Sequence, residues 1–449
     1  MWKYIFIALL GSALQMAYAQ DSTHAFFQVG DGLNENLKVL FEDTLHQYIW
    51  AGGNFDNDPF NPYPAGCVYY DGTAWQGLDS TLTGEATAFA VYQGKTYIGG
   101  YLGLRTDPRP SIRFLMTWEA GELQSVLPLT SGSGRLKSMI IDSGYLYVMG
   151  TFPVFDTLPR GNVLRYDGSR WEMLPPLDTT GSFTINVGLF YQGQLYAGGN
   201  FLGQSAPFMA DIARFDGQQW QPVGQGLSGP QTWVNDMLIY DSLLVMGGRF
   251  RKRFGDPGNG VLAWDGRQWI ELGDGLYHGQ VWGLEVYEEQ LYAFGVFSLD
   301  PNPAAPLYFM ARWDGEEWEI FTEVNSFGLV GALSTADGLY FGGSPMTIRG
   351  EDFPEIARYA PVENQTTHVP SPARTGFTVS PNPARDRLLL HNPQGVYLDQ
   401  VTWHDLTGRQ VQTQRLGTDA PEVKLDVSGL SPGIYWLRIG EEGVKVMVE

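Results

Sequence analysis

A repeat of about fifty residues runs seven times through the middle of this chain and limits what it can fold into. Each copy carries an apolar segment closing on glycine, such as Leu195-Tyr196-Ala197-Gly198-Gly199. The last aligned glycines are Gly53, Gly100, Gly150, Gly199, Gly248, Gly295 and Gly343, spaced 47 to 50 residues apart. A unit this short cannot bury an apolar face alone, so neighbouring copies must pack on one another. A second mark, an aromatic residue followed by Asp-Gly and then Trp, follows in most copies. It reads Tyr70-Asp71-Gly72 with Trp75, Tyr166-Asp167-Gly168 with Trp171, and Phe215-Asp216-Gly217 with Trp220. Trp264-Asp265-Gly266 with Trp269 and Trp313-Asp314-Gly315 with Trp318 continue it, and Leu123 stands in the Trp place of the second copy.

Each copy reads as four short strands. In the fourth these are Gly188 to Tyr191, Leu195 to Gly199, Ile212 to Phe215 and Trp220 to Val223. The Asp-Gly turn supplies the positive φ of a tight hairpin. A glycine pair inside a strand leaves room for another backbone to come close. Four strands per copy at constant phase predict an all-β fold, a seven-bladed β-propeller. The seventh copy ends at Ile356-Ala357-Arg358-Tyr359 without its Trp strand. The segment Phe26-Phe27-Gln28-Val29-Gly30-Asp31-Gly32-Leu33 matches the missing piece, and with Phe26 in the Trp place the ladder 26, 75, 123, 171, 220, 269, 318 advances by 48 or 49. The N-terminal strand is therefore expected to complete the last blade and close the ring, removing exposed sheet edges.

The rest of the chain divides around this array. Residues 1–19 join a basic start, an apolar run and Ala17-Tyr18-Ala19, the pattern of a secretory signal peptide. The apolar run is too short to span a bilayer, and no integral membrane segment is expected later. The propeller is assigned to 20–360. Residues 361–376, rich in Pro, Thr and Ser, read as a linker, and 377–449 as a small Ig-like β-sandwich. Lys and Arg total 28 against 49 Asp and Glu, a net charge of −21 that repels nucleic acid. The single cysteine, Cys67, excludes a disulfide framework and a cysteine-based zinc site.

The Gly-Gly strands followed by Tyr-Asp and Trp resemble kelch repeats and the galactose-oxidase-type propeller. The tail carries a more specific likeness. Pro381, Asn382 and Pro383, then Asp405, Gly408 and Arg409, then Pro432, Gly433 and Tyr435, then Lys445 in a terminal strand, occur in that order. They resemble the type A C-terminal sorting domain of the Bacteroidota type IX secretion system. That resemblance implies export through the periplasm, with the translocon and sortase as partners of the tail. The product would be secreted or held at the outer cell surface.

Catalytic residues should break the repeat, and no catalytic motif stands out. The six histidines show no metal-binding spacing, so no metal site or cofactor is expected. Cys67 reads as a small buried apolar residue. Arg165, Arg214, Arg312 and Arg358 recur at one strand position, which favours ion pairs within the scaffold over an anion site. The long loops between second and third strands are where binding is expected. Arg251, Lys252 and Arg253 form a basic cluster there. Asp56 and Asp58 offer oxygens to Ca²⁺ without a complete calcium-loop signature, and the plain reading of both loops is solvated surface. Three functions stay open: a binding module for a glycan or protein, an extracellular glycan-active hydrolase or lyase, and a structural scaffold.

Overall fold

The computed structural model describes residues 23–33, 36–54, 66–78, 82–104, 113–119, 121–128, 134–152, 160–177, 184–202, 210–227, 232–250, 259–326, 328–362, 377–380, 384–392, 397–404, 410–431, 433–439 and 442–448. They are β-strands and turns, in two compact units that divide after Val362.

The first unit holds seven four-stranded antiparallel sheets, as expected of propeller blades. Sheet 4 is typical, with strands Thr184–Tyr191, Gln194–Leu202, Ala210–Phe215 and Trp220–Pro222 in spatial order. The first strands of sheets 1, 2, 3, 5 and 6 are Asn36–Asp43, Leu82–Tyr92, Arg135–Asp142, Trp233–Tyr240 and Tyr277–Tyr287. Sheet 7 is Leu329–Thr335, Gly338–Gly343 and Ile356–Pro361, with the N-terminal His24–Gln28 as its outer strand. Phe26 lies opposite Tyr359, just as Trp220 lies opposite Phe215. First strands of successive sheets contact one another, and that of sheet 7 contacts those of sheets 6 and 1.

Second strands are buried along both faces, which is why their sequence is continuously apolar rather than alternating. Every first strand carries a β-bulge near its start, at Lys38, Thr87, Lys137, Asn186, Asn235, Trp282 and Val330. The bulge explains the glycine pair. A side chain on the second glycine (Gly100, Gly150, Gly199, Gly248, Gly295 or Gly343) would overlap a first-strand carbonyl within its own sheet. A Cβ on the first would meet the next sheet, 2.6 Å from Leu136 at Gly99, 2.7 Å from Val234 at Gly198 and 2.6 Å from Val281 at Gly247. At Gly342 of sheet 7 it would meet Leu37 of sheet 1, at 2.9 Å.

The repeated tryptophans fasten neighbours. Trp220 Nε1 donates to Pro175 O (2.8 Å), Trp318 Nε1 to Leu272 O (3.1 Å) and Trp75 Nε1 to Val29 O (3.0 Å). In each pair the carbonyl follows the outer strand of another sheet. In the Asp-Gly turns one carboxylate oxygen accepts two amides, as Asp216 does from Gln218 and Gln219, while Gly217 takes a φ of 97°. Turns of adjacent sheets meet on one side, where Gln192 Nε2 donates to Asp265 O (3.3 Å).

The second unit has strands Thr378–Ser380, Arg387–His391 and Glu422–Asp426 in one sheet. Gln410–Thr418, Leu398–His404, Gly433–Ile439 and Glu442–Val448 form the other. One apolar cluster centred on buried Trp403 draws from both sheets.

The indole bonds yield a test. Replacing Trp75 by Phe deprives Val29 of a donor, whereas Trp269 Nε1 is buried without a partner among the described residues. In denaturant unfolding, Trp75→Phe should destabilise by at least about 1 kcal/mol more than Trp269→Phe.

Candidate functional site at the bulged first strands

The bulges place one side chain of every sheet at equivalent positions on strands that contact in sequence. Three of them clasp the next sheet. Thr87 Oγ1 donates to Leu136 O (2.5 Å), Asn186 Nδ2 to Val234 O (2.9 Å) and Asn235 Nδ2 to Val281 O (2.7 Å). Each accepting carbonyl belongs to the residue just before the next bulge, so the pattern is structural. Lys38, Lys137 and Trp282 occupy the same position and have no such bond among the described residues. Lys137 is largely enclosed, and that burial pushes its ammonium pKa down. Glu85 opposes the shift, while Arg135 and Lys38 add to it. Trp233 begins the first strand of sheet 5 under the Arg249 guanidinium, 5.1 Å from its ring centroid.

Two carboxyls on these strands also break the repeat. Asp236 stands where other sheets have Val39, Ala88, Ser138, Val187, Gly283 and Gly331, and Glu285 where they have apolar residues. Asp236 Oδ2 accepts the Leu284 amide of sheet 6 and its Oδ1 accepts the Met237 amide, both at 2.8 Å. Burial nevertheless pushes its pKa up to about 6. Glu285 rises to about 7 through burial, with the charge of Asp236 adding to it. A carboxyl poised near neutrality suits proton transfer. Asp236, however, has both oxygens engaged by amides, the bonding of a clasp: Ser138 Oγ, one residue past its own bulge, likewise accepts the Gly188 amide (3.3 Å).

The loop residues singled out in the sequence, Arg251, Lys252, Arg253, Asp56 and Asp58, lie outside the described residues. So do the 1–19 segment and Pro381, Asn382, Pro383, Asp405, Gly408, Arg409 and Pro432. In the second unit, Gly433 opens a strand opposite Val448, Tyr435 is buried with its hydroxyl donating to Ser431 O (2.7 Å), and Lys445 pairs with Trp436. Of the recurrent arginines, Arg165 and Arg312 pair with Glu172 and Glu319, the cross-strand residues of their own sheets. Arg358 pairs with Asp337 (3.0 Å), and Arg214 donates to Gln194. All four partners lie in the arginine's own sheet: the opposite residue for Arg165 and Arg312, a hairpin-turn aspartate for Arg358 and the glutamine that opens the second strand for Arg214. Arg165 and Glu172 also line a surface depression of about 180 Å³ with Tyr145, Asp167 and Arg170, made of repeated positions. Burial raises the Cys67 thiol pKa far above its ordinary value, which removes it as a nucleophile. Among the described residues no group of three or more His, Cys, Asp or Glu is placed to hold a metal ion. No helix there is long and apolar enough to cross a membrane.

Sequence inspection directed attention to loops and missed the bulge positions. The signal was present: aligned on Gly-Gly, the first-strand column changes from Thr and Asn to Lys and Trp.

Residues 378–449 match the family described as the secretion system C-terminal sorting domain. The tail is therefore a type IX secretion sorting domain, and the protein is secreted or displayed at the outer cell surface. No curated protein matches the chain. Among solved structures it is similar to the extracellular domain of a one-component system from B. thetaiotaomicron. The identity is 13% and the TM-score 0.45, covering 95% of this chain and 57% of that one. It is also similar to PorZ, a surface component of the type IX secretion system of Porphyromonas gingivalis. There the identity is 14% and the TM-score 0.39, covering 90% of this chain and 58% of that one. The chain thus spans under three fifths of either structure's length.

The raised carboxyls set the pH response. Asp211, buried and bonded to Thr232 and the Phe201 amide, is pushed up to about 6 by burial. A raised folded-state pKa contributes stability below the unfolded value, near 4, that is lost as pH rises through 6 to 7. The turn aspartates act oppositely: hydrogen bonds from Thr73 and Ala74 hold Asp71 at about 2, so its contribution fades only in strong acid. Melting temperature should therefore fall between pH 5 and 8, and Asp211→Asn with Glu285→Gln should flatten that slope. An unchanged slope in the double variant would refute the assignment.

Proposed function

We propose that the first unit is a seven-bladed propeller of kelch-like repeats, closed into a ring by its N-terminal strand, that works as an extracellular binding module. A signal peptide at 1–19 starts its export, and the sorting domain, after a linker, hands it to the translocon and sortase. Its ligand is a glycan or a protein. Ring closure is supported by the last sheet using the same devices as the others: Phe26 opposite Tyr359, Gly342 against Leu37, and Trp75 bonded to Val29.

The observation that carries the binding reading is the departure from the repeat at the bulges. Thr and Asn there tie one sheet to the next, whereas Lys38, Lys137 and Trp282 make no such bond among the described residues. Charged and aromatic groups held on a rigid scaffold and not engaged in such a bond among the described residues suit recognition. The rival reading, a glycan-active hydrolase or lyase, draws on Asp236 and Glu285. Its weakness is that Asp236 spends both oxygens on backbone amides, leaving one carboxyl where such hydrolysis uses two.

Two experiments test this proposal. Deleting 375–449 should strand the protein in the periplasm, and normal surface delivery of the truncated chain would refute sorting by the tail. The full chain should retain a ligand on a glycan array or in pull-downs from surface fractions. Retention of neither saccharide nor protein would leave the scaffold reading in its place.

A further inference from the structure

The bulge positions carry more than the statement that something binds. Lys38 is exposed, Arg135 is exposed at the start of its strand, and Lys137 is half-buried at its bulge with no hydrogen bond or ion pair among the described residues. The charges of Arg135 and Lys38 both act on Lys137, and Glu85 is the one carboxylate that opposes them there. Three cations against one acid leave local positive charge in a chain whose net charge is −21. Such a cluster repels itself and is relieved by an incoming anion. At the same level of the first strands stands half-exposed Trp282. Gly328 makes room for its ring, since a Cβ there would lie 2.6 Å from it. An indole presents a broad apolar face with little conformational entropy to lose, suited to the apolar face of a sugar ring.

We propose, building on the binding-module reading, that this level of the first strands is the binding site and that its ligand is a short acidic oligosaccharide. Lys38, Arg135 and Lys137 draw its carboxylate or sulfate, and a neighbouring sugar ring rests on Trp282. The combination selects for both features. A free inorganic anion gains nothing from the indole, and a neutral sugar leaves the cations unneutralised. Length matters too, because a long polyanion meets the repulsion of the whole acidic chain whereas a tri- or tetrasaccharide brings few charges.

Calorimetric titration of the full chain with trigalacturonate, a monosulfated chondroitin tetrasaccharide and neutral cellotetraose tests this. At least one acidic probe should bind at least about tenfold more tightly than cellotetraose, and its affinity should fall as salt rises from about 50 to 500 mM. Lys38→Gln, at an exposed position where folding is not at stake, and Lys137→Gln should each weaken the acidic probe about tenfold. Both should bring its affinity towards that of cellotetraose. Trp282→Ala should lower the affinity and Trp282→Phe should largely keep it. Equal affinity for neutral and acidic probes, or an unaltered affinity in Lys38→Gln, would overturn the acidic ligand while leaving a binding module. Retention of a protein alone in pull-downs would do the same. Failure to retain any saccharide or protein would overturn both proposals.

Discussion

The bulge in each first strand is the constraint on which the first unit rests. An extra residue pushes a carbonyl toward the second strand, and only glycine at the facing position leaves it space. The neighbouring glycine accepts an apolar side chain from the next sheet, Leu136 at Gly99 and Val234 at Gly198. One local irregularity therefore spaces the strands within a sheet and sets the approach of the next. The second glycine recurs in every sheet, whereas the first is Met149 in sheet 3 and Phe294 in sheet 6; sheet 7 meets sheet 1 through Gly342 and Leu37, as sheet 2 meets sheet 3 through Gly99 and Leu136.

A repeated array also has to deal with its ends. The described first unit does so by assembling one sheet from both termini: His24–Gln28 supplies the outer strand beside Ile356–Pro361. That pairing has a large sequence separation and so a high loop-closure cost. It is offset by contacts concentrated on a short segment. Phe26 packs among Phe321, Phe341 and Tyr359, His24 stacks on Tyr359, and the Leu33 amide donates to buried Glu355. The turn after it repeats elsewhere: Gly30 and Gly32 take positive φ, as do Gly224 and Gly226, and Gly273 and Gly275.

The all-β class and the sorting tail were legible in the chain because both rest on short-range signals: turn glycines, recurrent aromatics and a fixed order of motifs. The pairing of Phe26 with Tyr359 was legible too, since the ladder of tryptophans has a vacancy only the N-terminus fills. The clasps were not. Nothing in the string Ile185-Asn186-Val187 announces a bulge whose amide reaches Val234 O 2.9 Å away in another sheet, because that bond depends on the sheets' mutual position. The partners of the recurrent arginines were hidden for a related reason. Arg165 and Glu172 are seven residues apart, and only the register of the hairpin puts them opposite one another.

The bulge column also shows how one position can serve fold and recognition in turn. Thr87, Asn186 and Asn235 satisfy a neighbour's carbonyl and are spent on the scaffold. Lys38 and Lys137 are not, although a lysine ammonium is a competent donor with three hydrogens. Burial pushes the Lys137 ammonium pKa down, Arg135 and Lys38 add to the shift, and Glu85 opposes it. Asp236 and Glu285 stand two and three sheets away from Lys137, on the first strands of sheets 5 and 6. The scaffold tolerates the lysines because, among the described residues, the bulge side chain bonds the next sheet at only three of seven positions, and glycine packing and the indole bonds also join the sheets. The positive charge that results sits in a protein otherwise strongly acidic, and that contrast makes it a discriminating feature rather than another patch of solvated surface.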